Sequence, residues 1–323
     1  PMARIVVTRP VMEEGLRPLF ENGHQVEILD PDPEQPLDED ALIEAAREAD
    51  ALITMPSDPV TARVLESCPK LRIVAQHAVG YENIDLEAAR KHGIVVTHTP
   101  GVLTDATADF TFALLLALVR RVREADRYVR EGHFKRWETK LLLGHDLRDK
   151  VLGIVGLGRI GSAVARRALG FGMRIVYYNR RPANPTVERQ SCARYVSFDE
   201  LLRTSDVISI HCPLNKESYH LFDRAAFAKM KPTAVLVNTA RGPIVDEEAL
   251  VEALEQGRIA GAALDVFEHE PRVHPALLRS DRVVLAPHLG SATVEARTAM
   301  ARACAEAVLA VLNGAEKIPY RLV

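Results

Sequence analysis

Cysteine is scarce in this sequence of 323 residues, and its four copies are not spaced for metal binding or for a disulfide framework. Such scattered thiols are typical of proteins from a reducing cytoplasm, which is the location we expect. Positive charge is not in excess either, since 41 lysines and arginines stand against 44 acidic residues. Without a basic surface, the sequence predicts no nucleic-acid partner. The four cysteines are Cys68, Cys192, Cys212 and Cys304.

Long hydrophobic runs are also missing. The longest, residues 110–119, is about half as long as a membrane-spanning helix must be and is better interpreted as a buried helix. The apolar run at residues 5–7 turns polar at once, so we predict neither a secretory signal nor a membrane partner. With 47% hydrophobic and 26% charged residues, the composition is that of a globular protein, and the length predicts two domains.

A glycine turn in the middle of the chain, Gly156-x-Gly158-x-x-Gly161, is the most informative segment that is present. It follows a short apolar strand and precedes a helix-forming segment, as in a dinucleotide-binding turn. Gly156 would permit the tight turn, Gly158 would let a pyrophosphate approach the backbone, and Gly161 would let the helix pack on the strand. The other residues of the turn that we expect to contact the cofactor are Leu157, Arg159 and Ile160.

Strand-like and helix-like segments alternate over the first hundred residues, and a second alternating series begins at the glycine turn. This alternation predicts α/β architecture with two doubly wound parallel sheets. The two series are joined by a long helical stretch predicted at residues 105–131. An alanine-rich helix at residues 293–312 needs an apolar partner, which the first series can provide. We therefore predict a Rossmann nucleotide domain over residues 100–288, inserted into a flavodoxin-like substrate domain made of residues 1–99 and 289–323.

Three charged side chains follow strands of the second series: Arg241, Glu270 and His288. Doubly wound folds bind ligands at the carboxyl ends of their strands, so these side chains would lie beside a nicotinamide. The planar fork of Arg241 can hold the carboxylate and carbonyl oxygen of a 2-oxo acid. His288 can donate a proton to that oxygen as hydride arrives, and a hydrogen-bonded Glu270 would keep the imidazole protonated. The trio predicts reduction of a 2-oxo acid.

The residues after the second strand of this series bear on the choice of cofactor. NAD-binding units carry an acidic residue there, which accepts hydrogen bonds from the ribose hydroxyls. Here the strand ends in Asn179, followed by Arg180 and Arg181. Asn179 has no charge to repel a 2′-phosphate, and the arginines can bind one through charge-assisted hydrogen bonds. The sequence therefore predicts a preference for NADP(H), with NAD(H) as the weaker alternative.

Six segments spread along nearly the whole chain carry a further signal: residues 77–85, 99–105, 156–161, 238–242, 264–271 and 287–293. Through these segments the sequence resembles the D-isomer-specific 2-hydroxyacid dehydrogenases, and among them most the glyoxylate/hydroxypyruvate reductases. The resemblance implies a nicotinamide-dependent reductase of glyoxylate or hydroxypyruvate. It also implies that Arg241, Glu270 and His288 form the catalytic set, with Glu270 rather than Glu268 in the position before proline.

The same resemblance assigns roles to residues outside the trio. It implies that the backbone N–H groups of Val79 and Gly80 bind the substrate carboxylate and that Asp265 meets the nicotinamide carboxamide. In the glyoxylate reductases a tryptophan reaches into the partner subunit's site, and Trp137, the only tryptophan here, matches it. We expect a homodimer built on residues 105–143. The other cofactor-lining residues that the resemblance implies are Thr107, Cys212, Pro213, Thr239, Ala240 and Gly290.

Other functions remain compatible with the sequence. The chain could act on another substrate, such as 2-ketogluconate, a branched 2-oxo acid or phosphite. It could also be a cofactor-sensing protein like the C-terminal-binding corepressors, which can keep the catalytic trio. A methyltransferase with a similar glycine turn is disfavoured, because the trio would then have no role. We predict no metal site, since the adjacent residues Glu268, His269 and Glu270 cannot all face one ion.

Overall fold

The computed structural model describes all 323 residues, which form two compact units. The first unit comprises Pro1–Leu103 and Ser291–Val323, and the second comprises Thr104–Gly290. The units therefore divide the chain a few residues beyond the predicted domain boundaries. None of the helices is both long and apolar enough to cross a membrane.

The first unit is built on a sheet of five parallel strands in the order β2-β1-β3-β4-β5, which is the flavodoxin-like order. Its strands are short, apolar and mostly buried, as expected for a sheet covered on both faces. The strands are β1 (Arg4–Val7), β2 (Gln25–Ile28), β3 (Ala51–Thr54), β4 (Ile73–Gln76) and β5 (Val95–Thr97). The helices are α1 (Glu13–Glu21), α2 (Glu39–Ala46), α3 (Ala62–Glu66), α4 (Leu86–Lys91) and, after the second unit, α13 (Val294–Leu312).

Helix α13 packs against α1 and covers one face of the five-stranded sheet. The two helices meet closely at Gly15, where an added Cβ would lie 2.5 Å from the Cβ of Ala301. Small side chains along α13, among them Ala305 and Val308, are wholly buried in the same cluster as strand residues of β1 and β3. The alanine-rich composition of this helix thus serves close packing, and its predicted partner in the first series is confirmed.

The second unit contains a sheet of seven parallel strands in the order β12-β11-β10-β9-β6-β7-β8, the Rossmann order with one added strand. The order reverses between β6 and β9, and doubly wound sheets bind ligands at such a reversal. The strands are β6 (Val151–Val155), β7 (Arg174–Tyr178), β8 (Ala193–Tyr195), β9 (Val207–Ile210), β10 (Val235–Asn238), β11 (Gly261–Leu264) and β12 (Val283–Leu285). The helices are α5 (Thr104–Val119), α6 (Val122–Arg130), α7 (Arg159–Gly170), α8 (Pro185–Ser191), α9 (Phe198–Thr204), α10 (Arg224–Lys229), α11 (Glu247–Glu255) and α12 (Pro275–Leu278).

The helical stretch predicted at residues 105–131 is present and consists of two helices. The chain breaks it into α5 and α6 at Arg121, whose φ of 54° lies in the left-handed region. The break separates two different surfaces, because α5 buries much of its length whereas α6 buries none of its residues. Beyond α6 the chain has no helix or strand until β6, and Trp137 in this stretch is 81% exposed. Trp137 is therefore not packed within its own chain.

Candidate active site

The glycine turn joins β6 to α7 and leaves an open space above the backbone. Gly156 has a φ of +97°, and an added Cβ there would lie 2.6 Å from the backbone nitrogen of Cys212. At Gly161 an added Cβ would lie 2.1 Å from the carbonyl oxygen of Gly156. Around the missing Cβ of Gly158, in contrast, no atom lies within 4 Å. The turn is thus close-packed on the protein side and open at the N-terminus of α7, where free N–H groups favour a phosphate. These residues fit a dinucleotide.

Asn179 braces this turn from the end of the neighbouring strand β7. Its Oδ1 accepts a hydrogen bond of 2.8 Å from the backbone N–H of Leu157, and its own carbonyl accepts one of 3.1 Å from the hydroxyl of Tyr195. Sequence reasoning considered Asn179 only as an uncharged neighbour of a ribose and missed this contact. Arg180 forms an ion pair with Glu217, and Arg181 is exposed.

The three charged residues of the predicted catalytic set follow three adjacent strands, β10, β11 and β12. The Nδ1 atom of His288 lies 3.1 Å from Oε2 of Glu270, so the hydrogen bond expected between them is present. His288 itself has a φ of 58°, and the strand end holds it there through a 2.8 Å hydrogen bond from its N–H to the carbonyl of Asp265. With Nδ1 engaged, Nε2 is the ring nitrogen left to exchange a proton with a ligand.

Burial alone would raise the pKa of the Glu270 carboxyl, but the hydrogen bond and charge of His288 outweigh that cost and lower it. The backbone N–H of Phe267 donates to the same carboxylate over 3.1 Å, and the charge of Arg241 acts in the same direction. Glu270 is therefore ionised at neutral pH, and its negative charge faces the imidazole.

Asp265 is fully buried and fixes the turn that carries His288. Its two carboxylate oxygens accept hydrogen bonds from the backbone N–H groups of Leu289 (2.7 Å) and Gly290 (2.8 Å). Burial raises the pKa of Asp265, although these bonds and the charge of His288 oppose the rise. The partners of Asp265 are backbone N–H groups, which every residue except proline carries. The sequence therefore gives no sign that Asp265 fixes this turn.

Close packing of glycines brings the strand ends together. An added Cβ at Gly242 would lie 1.9 Å from the carbonyl oxygen of Phe267, so the Arg241 turn touches the segment that leads to Glu270. At Gly290 an added Cβ would lie 3.3 Å from Asp265 and 3.4 Å from the methyl group of Thr107. The predicted residues Thr107, Asp265 and Gly290 are thus neighbours in the second unit.

The turn before Arg241 is organised by Asn238. Its side chain accepts a 3.0 Å hydrogen bond from the N–H of Ala240 and donates a 2.9 Å bond to the carbonyl of Arg241. Thr239 in the same turn bonds through its hydroxyl to Thr111 of α5 over 2.9 Å. The guanidinium of Arg241 donates to the carbonyl of Ala240 over 2.7 Å, which restrains one end of its fork.

The residues that follow β9, His211 and Cys212, lie beside the glycine turn and are uncharged. Burial raises the pKa of the Cys212 thiol to about 11, so a reactive thiolate is not available before Pro213. Burial also lowers the pKa of His211 to about 3, and its Nε2 lies 2.7 Å from the hydroxyl of Ser209. Both groups are uncharged at neutral pH.

Glu268 points into a different cluster from Glu270, formed with His220 and Asp246. The Nε2 atom of His220 lies 3.1 Å from Glu268, whereas its Nδ1 atom lies 4.0 Å from Asp246. The two carboxylates therefore stand on opposite nitrogens of one ring, whose lone pairs diverge. The three groups are close enough to one another to be candidate metal ligands, so the expected absence of a metal site stays a prediction.

Val79 and Gly80 lie in the first unit, on the loop after β4. The carbonyl of Ala78 accepts a 2.9 Å hydrogen bond from the N–H of Thr99, and the carbonyl of Val79 accepts one of 2.8 Å from Nδ1 of His98. Since each peptide is planar and trans, these two bonds fix the directions of the N–H groups of Val79 and Gly80. Sequence reasoning missed His98 and its role.

Comparisons with known proteins agree with this geometry. Residues 112–290 match the family of the D-isomer specific 2-hydroxyacid dehydrogenase NAD binding domain. The glyoxylate reductase of Thermococcus litoralis is 50% identical over 324 residues, which cover 99% of this chain and 96% of that protein. Among solved structures, a protein from Thermus thermophilus is 45% identical with a TM-score of 0.92, covering 99% of this chain and all of the other. An NADPH-dependent glyoxylate/hydroxypyruvate reductase from Sinorhizobium meliloti, in complex with NADP and malonate, is 31% identical with a TM-score of 0.89, covering 100% of this chain and 97% of the other.

Proposed function

Because the chain belongs to the D-isomer-specific 2-hydroxyacid dehydrogenase family, we propose that it reduces glyoxylate or hydroxypyruvate to the 2-hydroxy acid, with D configuration where chirality applies. The observation that carries the proposal is the His288–Glu270 pair, which stands with Arg241 at the ends of three adjacent strands. The names of the curated relatives support the same substrate class.

In this proposal the second unit binds the dinucleotide and supplies Arg241 and His288, and the first unit supplies peptide N–H groups for the substrate. Arg241 holds the substrate's carboxylate and carbonyl oxygen through its fork, and the N–H groups of Val79 and Gly80 bind the carboxylate. His288 donates a proton from Nε2 to the carbonyl oxygen, while Glu270 stabilises the protonated ring. When bound, the nicotinamide supplies the hydride.

The dinucleotide would lie along the glycine turn, residues 156–161, with its phosphates at the N-terminus of α7. Asn179, Arg180 and Arg181 would surround the adenosine ribose, and we propose that they favour NADP(H) over NAD(H). The NADPH-dependent relative from Sinorhizobium meliloti supports this preference. The other residues proposed to line the cofactor are Thr107, Cys212, Pro213, Thr239, Ala240, Asp265 and Gly290.

We further propose a homodimer in which residues 105–143 form the contact and Trp137 reaches the neighbouring active site. Large apolar side chains on this segment are exposed in the single chain, and such exposure is typical of an interface. They are Val122, Val129, Phe134, Trp137 and Leu143. Light scattering should report about twice the chain mass of 35.7 kDa at micromolar concentration. A monomer would contradict the proposed assembly.

The free cysteines fit a cytoplasmic enzyme.

The direct test is oxidation of NADPH and NADH with a panel of acids: glyoxylate, hydroxypyruvate, 2-ketogluconate and a branched 2-oxo acid. We expect the largest kcat/KM with glyoxylate or hydroxypyruvate and with NADPH. A larger kcat/KM for 2-ketogluconate or the branched acid would overturn the substrate assignment. Tight cofactor binding without turnover of any acid would instead favour a cofactor-sensing protein.

A further inference from the structure

An ion pair crosses the mouth of the glycine turn. Arg180 follows β7, and Glu217 lies in the loop after β9. The sheet order places β6 between those two strands, so the pair joins loops on either side of the strand end from which the turn emerges. An Nη1 hydrogen of Arg180 is donated to Oε2 of Glu217. Both side chains are exposed, so a bound ligand can reach either one.

Glu217 is held in this place by the loop that carries it. Oδ1 of Asn215 accepts 3.0 Å hydrogen bonds from the N–H groups of both Glu217 and Ser218. The buried hydroxyl of Ser218 donates a 2.7 Å hydrogen bond to the carbonyl of Pro213. These hydrogen bonds hold the loop in one turn conformation. The backbone of Glu217, from which its carboxylate extends, is therefore held in place.

Arg180 is anchored as well. It follows Asn179, whose side chain is bonded to the glycine turn and whose carbonyl is bonded to Tyr195. The guanidinium thus reaches Glu217 from a backbone that the turn itself positions. Because the backbones that carry both residues are held next to the turn, the pair lies where the adenosine half of a dinucleotide bound along the turn is expected.

We propose that Glu217 is a specificity-determining residue that limits the advantage of NADPH over NADH. This rests on the proposed use of the glycine turn as the dinucleotide site. A 2′-phosphate would compete with the Glu217 carboxylate for the donors of Arg180, and the two anions would repel each other. A 2′-hydroxyl carries no charge and leaves the ion pair intact. Glu217 therefore penalises NADPH and spares NADH.

The test measures cofactor affinity in the absence of substrate, from the change in nicotinamide fluorescence on binding. Glu217→Gln keeps the size of the side chain and removes its charge. We expect the Kd for NADPH to fall about two- to tenfold, the range of an exposed ion pair plus relieved repulsion. The Kd for NADH should stay within about twofold. In an Arg180→Ala background the same substitution should give less gain with NADPH, because no ion pair remains to be broken.

Glu200→Gln is the matched control, since Glu200 also pairs with an exposed arginine, Arg194, in the second unit. It should leave both affinities unchanged. Equal gains for both cofactors in Glu217→Gln, or an undiminished gain without Arg180, would overturn the role of Glu217. Failure of the wild-type protein to bind either cofactor would instead contradict the proposed function.

Discussion

The two parallel sheets place different chemistry at their carboxyl ends. In the seven-stranded sheet, adjacent strands end in the charged side chains of Arg241, Glu270 and His288, which are half-buried or exposed. In the five-stranded sheet, the corresponding ends carry buried polar side chains. The hydroxyl of Thr54 donates to Oε1 of Gln76, and the amide of Gln76 donates to the carbonyl of Gly80. One sheet thus presents side chains, and the other presents peptide groups held in fixed directions.

The buried polar side chains of the first unit form a continuous chain of hydrogen bonds. Asp58 accepts from the hydroxyl of Thr8 and from the N–H of Met55, and its burial raises its pKa. The amide of Asn83 donates to the carbonyls of Met55 and Asp58 and accepts from Gln76, which also donates to the carbonyl of Gly80 over 3.1 Å. A buried polar group that lacks a hydrogen-bond partner lowers the stability of the fold, so all members of this network must be in place together. The network therefore defines one conformation of the loop at Gly80.

The largest effect should come from breaking the side-chain chemistry of the second unit. His288→Ala removes the proposed proton donor, so kcat for reduction should fall by about 10²–10⁴-fold. Cofactor affinity, measured by fluorescence, should persist. His92→Ala changes an exposed histidine of the first unit that also lies near a glutamate, Glu66, and should leave kcat unchanged. A His288→Ala enzyme with nearly normal kcat would show that the proton comes from elsewhere.

A smaller loss is expected from Arg241→Lys. An ammonium cannot reproduce a bidentate fork, so kcat/KM for the 2-oxo acid should fall by about 10–10²-fold, as for one or two lost charge-assisted hydrogen bonds. Arg224→Lys is the control, because Arg224 also uses its fork on a carboxylate, that of Glu252, away from the strand ends. Equal activities of the two variants would remove Arg241 from substrate binding.

The peptide groups of the first unit can be tested through His98. His98→Phe removes the hydrogen bond that fixes the Val79–Gly80 peptide, and KM for the 2-oxo acid should rise about two- to tenfold with little change in kcat. His98→Asn offers an amide donor near the position of Nδ1 and should restore much of the affinity. If both variants behave like the wild type, the direction of this peptide does not matter for binding.

The smallest effect concerns pH. His288 lowers the pKa of Glu270, and by reciprocity the Glu270 carboxylate favours the protonated imidazole. Glu270→Gln removes that charge from beside the proposed proton donor, so the basic limb of the kcat/KM profile for reduction should move to lower pH. Glu248→Gln affects a similar pair with His274 (2.9 Å) and should leave the profile in place. An unmoved limb in Glu270→Gln would refute the pairing.

Much of the fold could be predicted because its strands are short apolar runs between turn residues. The apolar runs at residues 51–54, 151–155 and 174–178 coincide with β3, β6 and β7. The position of the break at Arg121 could not be predicted, since arginine is a good helix former and the left-handed backbone there follows no sequence signal. Strand β8 was not predicted, because its three residues include an exposed arginine and it lies at the sheet edge.

The site was predictable where residue types carry the chemistry and not where tertiary contacts do. Sequence alone reveals residue types with recognisable chemistry, such as the glycine turn, the arginine, the glutamate and the histidine. The contacts of Asn179 with Leu157 and of Arg180 with Glu217 join residues 22 and 37 positions apart. Only the parallel order of the strands brings such residues together, and neither pair follows a spacing rule.

The position of α13 has a consequence for synthesis on the ribosome. The strands of the first unit are made first, but the helix that covers one face of their sheet follows Gly290. Residues 104–290 must be translated in between, which takes on the order of 10–40 s at about 5–20 residues per second. During that interval the apolar face formed by residues such as Ile5, Ile53 and Ile73 is covered by α1 alone and lacks the apolar residues of α13. The first unit can therefore complete its fold only after the second unit has been made, whereas the second unit is continuous in the chain.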